Sequence, residues 1–225
     1  MNWIDYLGPM MDGAWITVKL TFYSTILGAV FSFLFGLGKL ARHWYFKIPS
    51  VAYIEVFRGT SLLVQMFWLF YALPLVGDIM GLNMRIPPIV AGVMALSANI
   101  GAYGAEVVRG AIQAVSKKQY EAATALNFTP KQTLWRIALP QAIPEMMPAF
   151  GNLAIQNLKD TALVSLITIS DLAFVSERLR NLTQESAVVY TLALFMYFGM
   201  ALVLAGMLKM LSQYVGTWRR AAGGK

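Results

Sequence analysis

The chain has no cysteine and a single histidine, His43, in 225 residues. Disulfides, thiolate metal sites and cysteine nucleophiles are thereby excluded, and a histidine-centred triad would rest on one side chain. No metal site is expected. Charge is scarce as well: 13% of residues are charged, about half the share of an ordinary soluble domain. Apolar residues take that place, at 58% of the chain with a mean hydropathy of +0.59. Such a chain needs lipid as its solvent. The phosphate-binding pattern G-x-x-x-x-G-K-[ST] does not occur, and no Ser or Thr follows Gly223-Gly224-Lys225. ATP hydrolysis by this subunit alone is not expected.

A helix needs about 20 apolar residues to cross the hydrocarbon core. Five runs meet that length: about Ala14 to Leu37, Ser61 to Met80, Pro88 to Val108, Phe150 to Ile169 and Val188 to Leu208. Lys19, near the start of the first, can snorkel back toward the headgroups. The fourth is the most polar, with Asn152, Gln156, Asn157, Lys159 and Asp160. The predicted fold is therefore an all-α integral membrane protein with five transmembrane helices, one transmembrane domain over 1–225. The N-terminus lacks a basic n-region and carries Asp5 and Asp12, so a cleaved signal peptide is not expected and the first helix serves as its own signal.

Cations set the orientation, because cytoplasmic loops are rich in Lys and Arg. One alternating set of connections holds Lys39, Arg42, Lys47, Arg58, Arg109, Lys117, Lys118, Lys131, Arg136, Lys209, Arg219, Arg220 and Lys225. The other holds only Arg85, Arg178 and Arg180. The asymmetry puts the N-terminus outside and the C-terminus inside. The net charge of +7 is then a matter of topology, and no nucleic-acid partner is expected from cations dispersed among apolar spans. His43 lies in the basic, aromatic stretch RHWYFK and reads as an anchor at the inner interface.

The longest polar connection, about 117–141, falls on the cytoplasmic side in this topology. Tyr120 to Leu126 favours a short helix, with Glu121 in its first turn near the positive end of the helix dipole. Position 127 is where that helix would end on a left-handed residue, and Asn is the most tolerated non-glycine there. Thr129-Pro130 begins a second helix, with proline where its missing N–H costs nothing, and Trp135, Ile137 and Leu139 follow. Pro140, Pro144 and Pro148 recur every four residues, which predicts a bent or interrupted return into the membrane.

Membrane-depth polar residues mark candidate pathways, because charge there must pair or face water. Asn152, Gln156, Lys159 and Asp160 fall in one helical sector and read as lining a polar path, its gate or an interface with a second membrane subunit; an internal structural pair is the alternative. In the third span, Ser97, Gly101 and Ala105, like Ala98 and Ala102, repeat at a spacing that permits close helix packing or a pivot. Glu106 and Arg109, one turn apart, are expected to pair. Thr60 or Ser61 could cap the second span, and Gly59 could permit a sharp approach to it.

The stretch from Glu121 to Gln141 resembles the cytoplasmic EAA loop of ABC importer permeases, with Glu121, Ala122, Ala123, Ile137, Leu139 and Pro140 in register and Asn127 where that family usually has glycine. Tyr53 to Gln65, which includes Arg58, Gly59 and Thr60, resembles the Y-x-E-x-F-R-G-T-P-L-L-V-Q signature of polar amino-acid permeases, with Ser61 replacing the proline. Glu106 to Ala111 and Leu158 to Leu163 resemble that family's E-x-x-R-G-x and L-K-D-T-S-L stretches. Within the family, FRGTSLLVQMFWLFYALP, YEAATALN and PAFGNL are most similar to the ectoine and hydroxyectoine importers. The resemblance implies a bacterial inner-membrane permease subunit whose loop docks in a groove of an ATPase. It also implies two ATP-binding subunits, a second permease, identical or paralogous, and an extracytoplasmic solute-binding protein. ATP and Mg would then be held by the partner ATPase and no cofactor by this subunit. Glutamine, histidine, arginine or glutamate are alternative solutes. An ATP-independent carrier or channel is the rival class, but the repeated discontinuous helices expected of it are not evident. A scaffold or membrane enzyme is the third, weakened by the dearth of Cys and His.

Overall fold

A computed structural model describes residues 4–222, with side chains through residue 215. The cation side chains of Arg219, Arg220 and Lys225, used above for orientation, lie outside the described side chains, as does the Gly223–Lys225 terminus. The described residues are helical apart from short connections and contain no strand. The helices are α1 Ile4–Leu40, α2 Trp44–Gly59, α3 Leu62–Phe67, α4 Leu73–Ile79, α5 Pro88–Ala114, α6 Lys117–Ala125, α7 Pro130–Thr133, α8 Leu139–Asp160, α9 Leu172–Thr183 and α10 Ser186–Ala222. Four segments are long and apolar enough to cross a membrane: Ile4–Leu40, Leu62–Ile79, Pro88–Ala114 and Ser186–Val215. α8 has the length, 22 residues or about 33 Å, but is more polar.

The central pair is α1 against α5, and small residues on both helices permit it. Gly28 and Gly36 meet the α5 backbone at Ser97 and Ala105, and Gly101 meets Phe31 and the Gly28 carbonyl. Ser32 sits between them, donating to the carbonyls of Gly28 and Gly101. The close-packing expectation for Gly101 and Ala105 therefore holds, and its other half lies on α1. One apolar cluster surrounds Leu20, Met66, Leu96, Val164 and Ile167. A second joins Tyr6, Met10, Leu172, Leu179 and Val189 near the start of α1. A third packs Val108 and Ile112 against Ala138, Leu139, Ala142 and Met146.

The second expected run, Ser61 to Met80, coincides with the apolar helical segment Leu62–Ile79, and a further helix precedes it: α2 runs antiparallel along the last third of α1, with Ser50 against Gly38 and Tyr53 stacked on Phe35. The chain breaks at Thr60 and Ser61, both extended, and resumes as α3. Neither side chain caps α3. Thr60 Oγ1 instead donates back to the Val56 carbonyl, and Gln65 Nε2 donates to the carbonyls of Phe57 and Thr60, supplying partners that the end of α2 lacks. Gly59 needs no special freedom, because a Cβ there would touch nothing within 4 Å. The fourth expected run, Phe150 to Ile169, is not one helix: its first part ends α8, Leu139–Asp160, and the chain then tightens into a 3-10 turn, Thr161–Ile167, that ends at left-handed Thr168 (φ 66°).

Two helical stretches, one from α3 into α4 and one from α7 into α8, accommodate a proline in one way. π turns at Trp68–Ala72 and Leu134–Ala138 each close with a bond spanning five residues, Leu73 N–H to Trp68 O and Leu139 N–H to Leu134 O. One leucine then separates each turn from a proline, Pro74 or Pro140. Widening the turn relieves the clash between the ring and the carbonyl four residues back. The predicted interruption thus lies ahead of Pro140, while Pro144 and Pro148 are inside α8.

Candidate coupling loop and membrane cavity

Two tight motifs set the hairpin between α5 and α8. α6 ends in a Schellman arrangement: Phe128 N–H bonds to Ala123 O at 3.0 Å, and Asn127 N–H bonds to Thr124 O at 2.9 Å. Asn127 takes φ 56°, the left-handed conformation expected of it. Two residues later Thr129 opens α7 with a full capping box, its hydroxyl accepting from Gln132 N–H while the Gln132 side chain accepts from Thr129 N–H. Pro130 is at the first position of α7, as expected.

The hairpin is held to the bundle from beneath. Ala123 and Leu139 are buried and Ile137 is half-buried, with Leu139 packed against Val108 and Ile112. Tyr120 donates its hydroxyl to Ile112 O at 3.1 Å, and burial pushes its pKa up. Glu121, Ala122, Asn127 and Pro140 are exposed, next to exposed Leu126 and Trp135. The seven motif residues thus divide between those that seat the loop and those it presents. Leu126 and Trp135 were not singled out as presented residues in the sequence, though large apolar groups on a polar loop are a usable signal.

The intramembrane candidates divide as well. A cavity of about 310 Å³ is lined by Gln156 and Asp160 of α8, by Asn157, and by Asn99 and Tyr103 of α5. Gln156 Nε2 donates to Asp160 Oδ1 at 2.8 Å. Asn152 and Lys159 are exposed and do not line it. Lys159 and Asp160 make no ion pair among the described residues, so the alternative of an internal structural pair gains no support from them. Three polar wall residues were missed. Asn157 is buried and donates to Ser24 and Thr25, at 2.7 and 3.0 Å, tying α8 to α1. Asn99 donates to Phe57 O and Gln65 Oε1, so it links the cavity to the break between α2 and α3. The third, Tyr103, carries Arg58 of α2 over its ring at 5.4 Å. Arg58 is therefore part of a helix beside the cavity, not a loop cation.

Below the cavity, Glu106 accepts from Arg109 Nε at 2.8 Å, as the spacing predicted, and also from Lys39 of α1. Lys39 is in turn 3.8 Å from Glu55 of α2. At the far end Asp171 is fully buried, capping α9 at Phe174 N–H and accepting from the Tyr197 hydroxyl. Burial pushes its pKa up to about 6. No cluster of His, Cys, Asp and Glu among the described residues is arranged to hold a metal ion.

Comparisons with known proteins agree on one family. Residues 28–216 match the family described as binding-protein-dependent transport system inner membrane component. A probable amino-acid ABC transporter permease protein of Sinorhizobium fredii is 63% identical over 97% of this chain and 92% of its own length. The L-cystine transport system permease protein TcyB of Bacillus subtilis is 34% identical, over 84% of this chain and 80% of its own. A crystal structure of an amino acid ABC transporter with histidines superposes with a TM-score of 0.85 at 34% identity, covering 94% of this chain and 96% of that one. The chain thus belongs to the binding-protein-dependent inner-membrane transport components, as the non-enzymatic permease subunit of an ATP-driven importer that works with a separate ATPase and a solute-binding protein.

Proposed function

We propose that the chain is a five-span permease, N-terminus outside and C-terminus inside, and that all 225 residues form one transmembrane domain. It pairs with a second permease, identical or paralogous, and the pair carries two ATPases that hold the ATP and Mg. The observation that carries this reading is the seated hairpin, with Ala123 and Leu139 buried while Glu121 and Ala122 are exposed. A loop so anchored transmits displacement to α5 and α8. In the proposed cycle, ATP draws the paired ATPases and the two Glu121 loops together, and the bundle opens outward to receive solute from the binding protein. Hydrolysis returns it inward.

The solute is a small zwitterion of the amino-acid class. Asp160 offers a carboxylate to an ammonium, and Gln156, with one amide N–H on Asp160, has a second to offer a carboxylate within one cavity. The 63% identical relative, described as an amino-acid permease, supports this class. Ectoine or hydroxyectoine is the second reading, favoured by the stretch from Phe57 to Pro74 and consistent with a cavity of modest volume. Glutamine, histidine, arginine and glutamate are the competitors. Asn152 and Lys159, exposed on α8, are assigned to the permease–permease contact and not to the solute.

Proteoliposome uptake with the full set of partners tests the proposal. Glu121→Arg is expected to insert normally and abolish ATP-dependent uptake by placing like charge or bulk in the ATPase groove; normal uptake by that variant would falsify the coupling role. Labelled ectoine uptake that resists excess glutamine and arginine selects the second reading. Competition by an amino acid selects the first.

A further inference from the structure

We propose that residues Arg42 to Lys47 form a docking patch for anionic phospholipid headgroups, through which the composition of the inner leaflet acts on α2. The patch lies where α1 ends and α2 begins. Trp44 is 71% exposed, and Tyr45, Phe46 and Ile48 are more than half exposed. Water contact over so much apolar surface is costly, and amphipathic aromatics of this kind settle at the headgroup level. His43 stacks on Tyr45, with ring centroids 5.1 Å apart.

Charge decides which headgroup. Arg42, His43 and Lys47 are exposed, and no Asp or Glu occurs between Asp12 and Glu55. The neighbouring cation Lys39 is already committed to Glu106, and Arg109 shares that carboxylate. Arg42 and Lys47 have no ion pair among the described residues, so their counter-charge comes from outside the chain. A phosphodiester with a net negative headgroup supplies it at the depth where the exposed aromatic rings insert. A zwitterionic headgroup does not. The inner-leaflet assignment rests on the orientation proposed above.

α2 connects this patch to the cavity. Beyond the aromatic turn, Tyr53 donates to Ala98 O at 2.7 Å, Phe57 O accepts from Asn99, and Arg58 lies over Tyr103. A headgroup that holds the start of α2 therefore bears on the helix whose other end braces the cavity wall.

The test uses the assembled importer, with ATPases bound, in nanodiscs of phosphatidylcholine with brominated phosphatidylglycerol or brominated phosphatidylcholine. Tryptophan quenching reads which lipid sits on the protein, and Trp44→Phe identifies the contribution of Trp44. At low salt the Trp44 signal is expected to prefer phosphatidylglycerol by about fivefold per cation, about 25-fold in all, and to lose that preference as salt screens it. Arg42→Gln/Lys47→Gln should bring the preference near unity, whereas the charge-preserving Arg42→Lys/Lys47→Arg should keep it and serves as the control for folding. Equal quenching by the two lipids in the unmodified importer overturns the proposal. So does an unchanged preference in the Gln variant, and if that variant also loses the ATPase on purification the patch belongs to that subunit's contact. Because lipid preference is read without transport, the result stands whichever solute is carried.

Discussion

Gly36→Ala is the sharpest test of how α1 and α5 are built. A Cβ at Gly36 would lie 2.8 Å from Ala105 O, 2.9 Å from Val108 Cβ and 3.0 Å from Val108 Cγ1. Two of these atoms, a backbone oxygen and a Cβ, cannot rotate away, so the helices must separate by about half an ångström to regain ordinary contact distances. Overpacking of this kind costs about 1–3 kcal/mol. Alanine also favours a helix over glycine, by about 1 kcal/mol, so the clash alone is obtained by comparison with a glycine that is free of neighbours. Gly199 in α10 provides it, because a Cβ there meets nothing within 4 Å. For a chain of this length each kcal/mol moves an unfolding midpoint by about 2–4 °C, so Gly36→Ala should melt about 2–12 °C below Gly199→Ala. Intrinsic tryptophan fluorescence of the detergent-solubilised subunit gives both midpoints, the absence of cysteine ruling out thiol dyes. Coincident midpoints would refute the claim that backbone contact at Gly36 determines the helix separation.

Asn127→Gly is expected to be neutral or slightly stabilising and Asn127→Val to lose about 1–2 kcal/mol, because the position is left-handed; protease nicking of the hairpin in inside-out vesicles reads the difference. Thr129→Ala should loosen the same hairpin by about 1 kcal/mol through loss of its capping box, with Thr129→Ser largely retaining it. Glu106→Gln removes the carboxylate shared by Lys39 and Arg109, both partly buried, and should cost about 1–3 kcal/mol in thermal unfolding. Asp171 has its pKa raised from 3.8 to about 6 by burial, so the native state holds a proton that the unfolded chain releases. Its contribution is therefore greatest below pH about 4 and declines as pH rises to about 6, and Asp171→Asn should flatten the dependence of the unfolding midpoint on pH across that window.

Where a single backbone constraint governs the outcome, the sequence could be read directly. Asn127 had to be left-handed, Pro130 had to open a helix, and Glu106 had to find Arg109, and all three are so placed. What could not be read depended on partners distant in the chain. Hydropathy found the apolar segment from Ser61 but passed over α2, because Glu55 and Arg58 depress that stretch; in the fold these groups meet Lys39 and Tyr103, so α2 packs along α1 despite its charge. The helix in the fourth run departs from expectation for the opposite reason. Prolines at three turns suggested interruption, whereas one π turn absorbs the first and the helix continues to Asp160. Of the cavity, Gln156 and Asp160 were visible as polar residues in an apolar setting, but Asn99 and Tyr103 belong to a different helix and gave no local signal. Spacing grouped Lys159 with Asp160, yet adjacent residues on a helix diverge by about 100°.

The back-to-back motifs at the tip of the α6–α7 hairpin have a mechanical consequence. A Schellman end that takes in Phe128 and a capping box that opens at Thr129 adjoin directly and leave almost no free torsion between α6 and α7. The hairpin then behaves as a tooth on a gear and not as a tether. A tether of the same length would stretch before it pulled, dissipating the first ångström of any stroke. A tooth has no slack, so a push on Glu121 reaches Val108 and Ile112 through Leu139 and Tyr120 as a displacement of similar size, and in either direction.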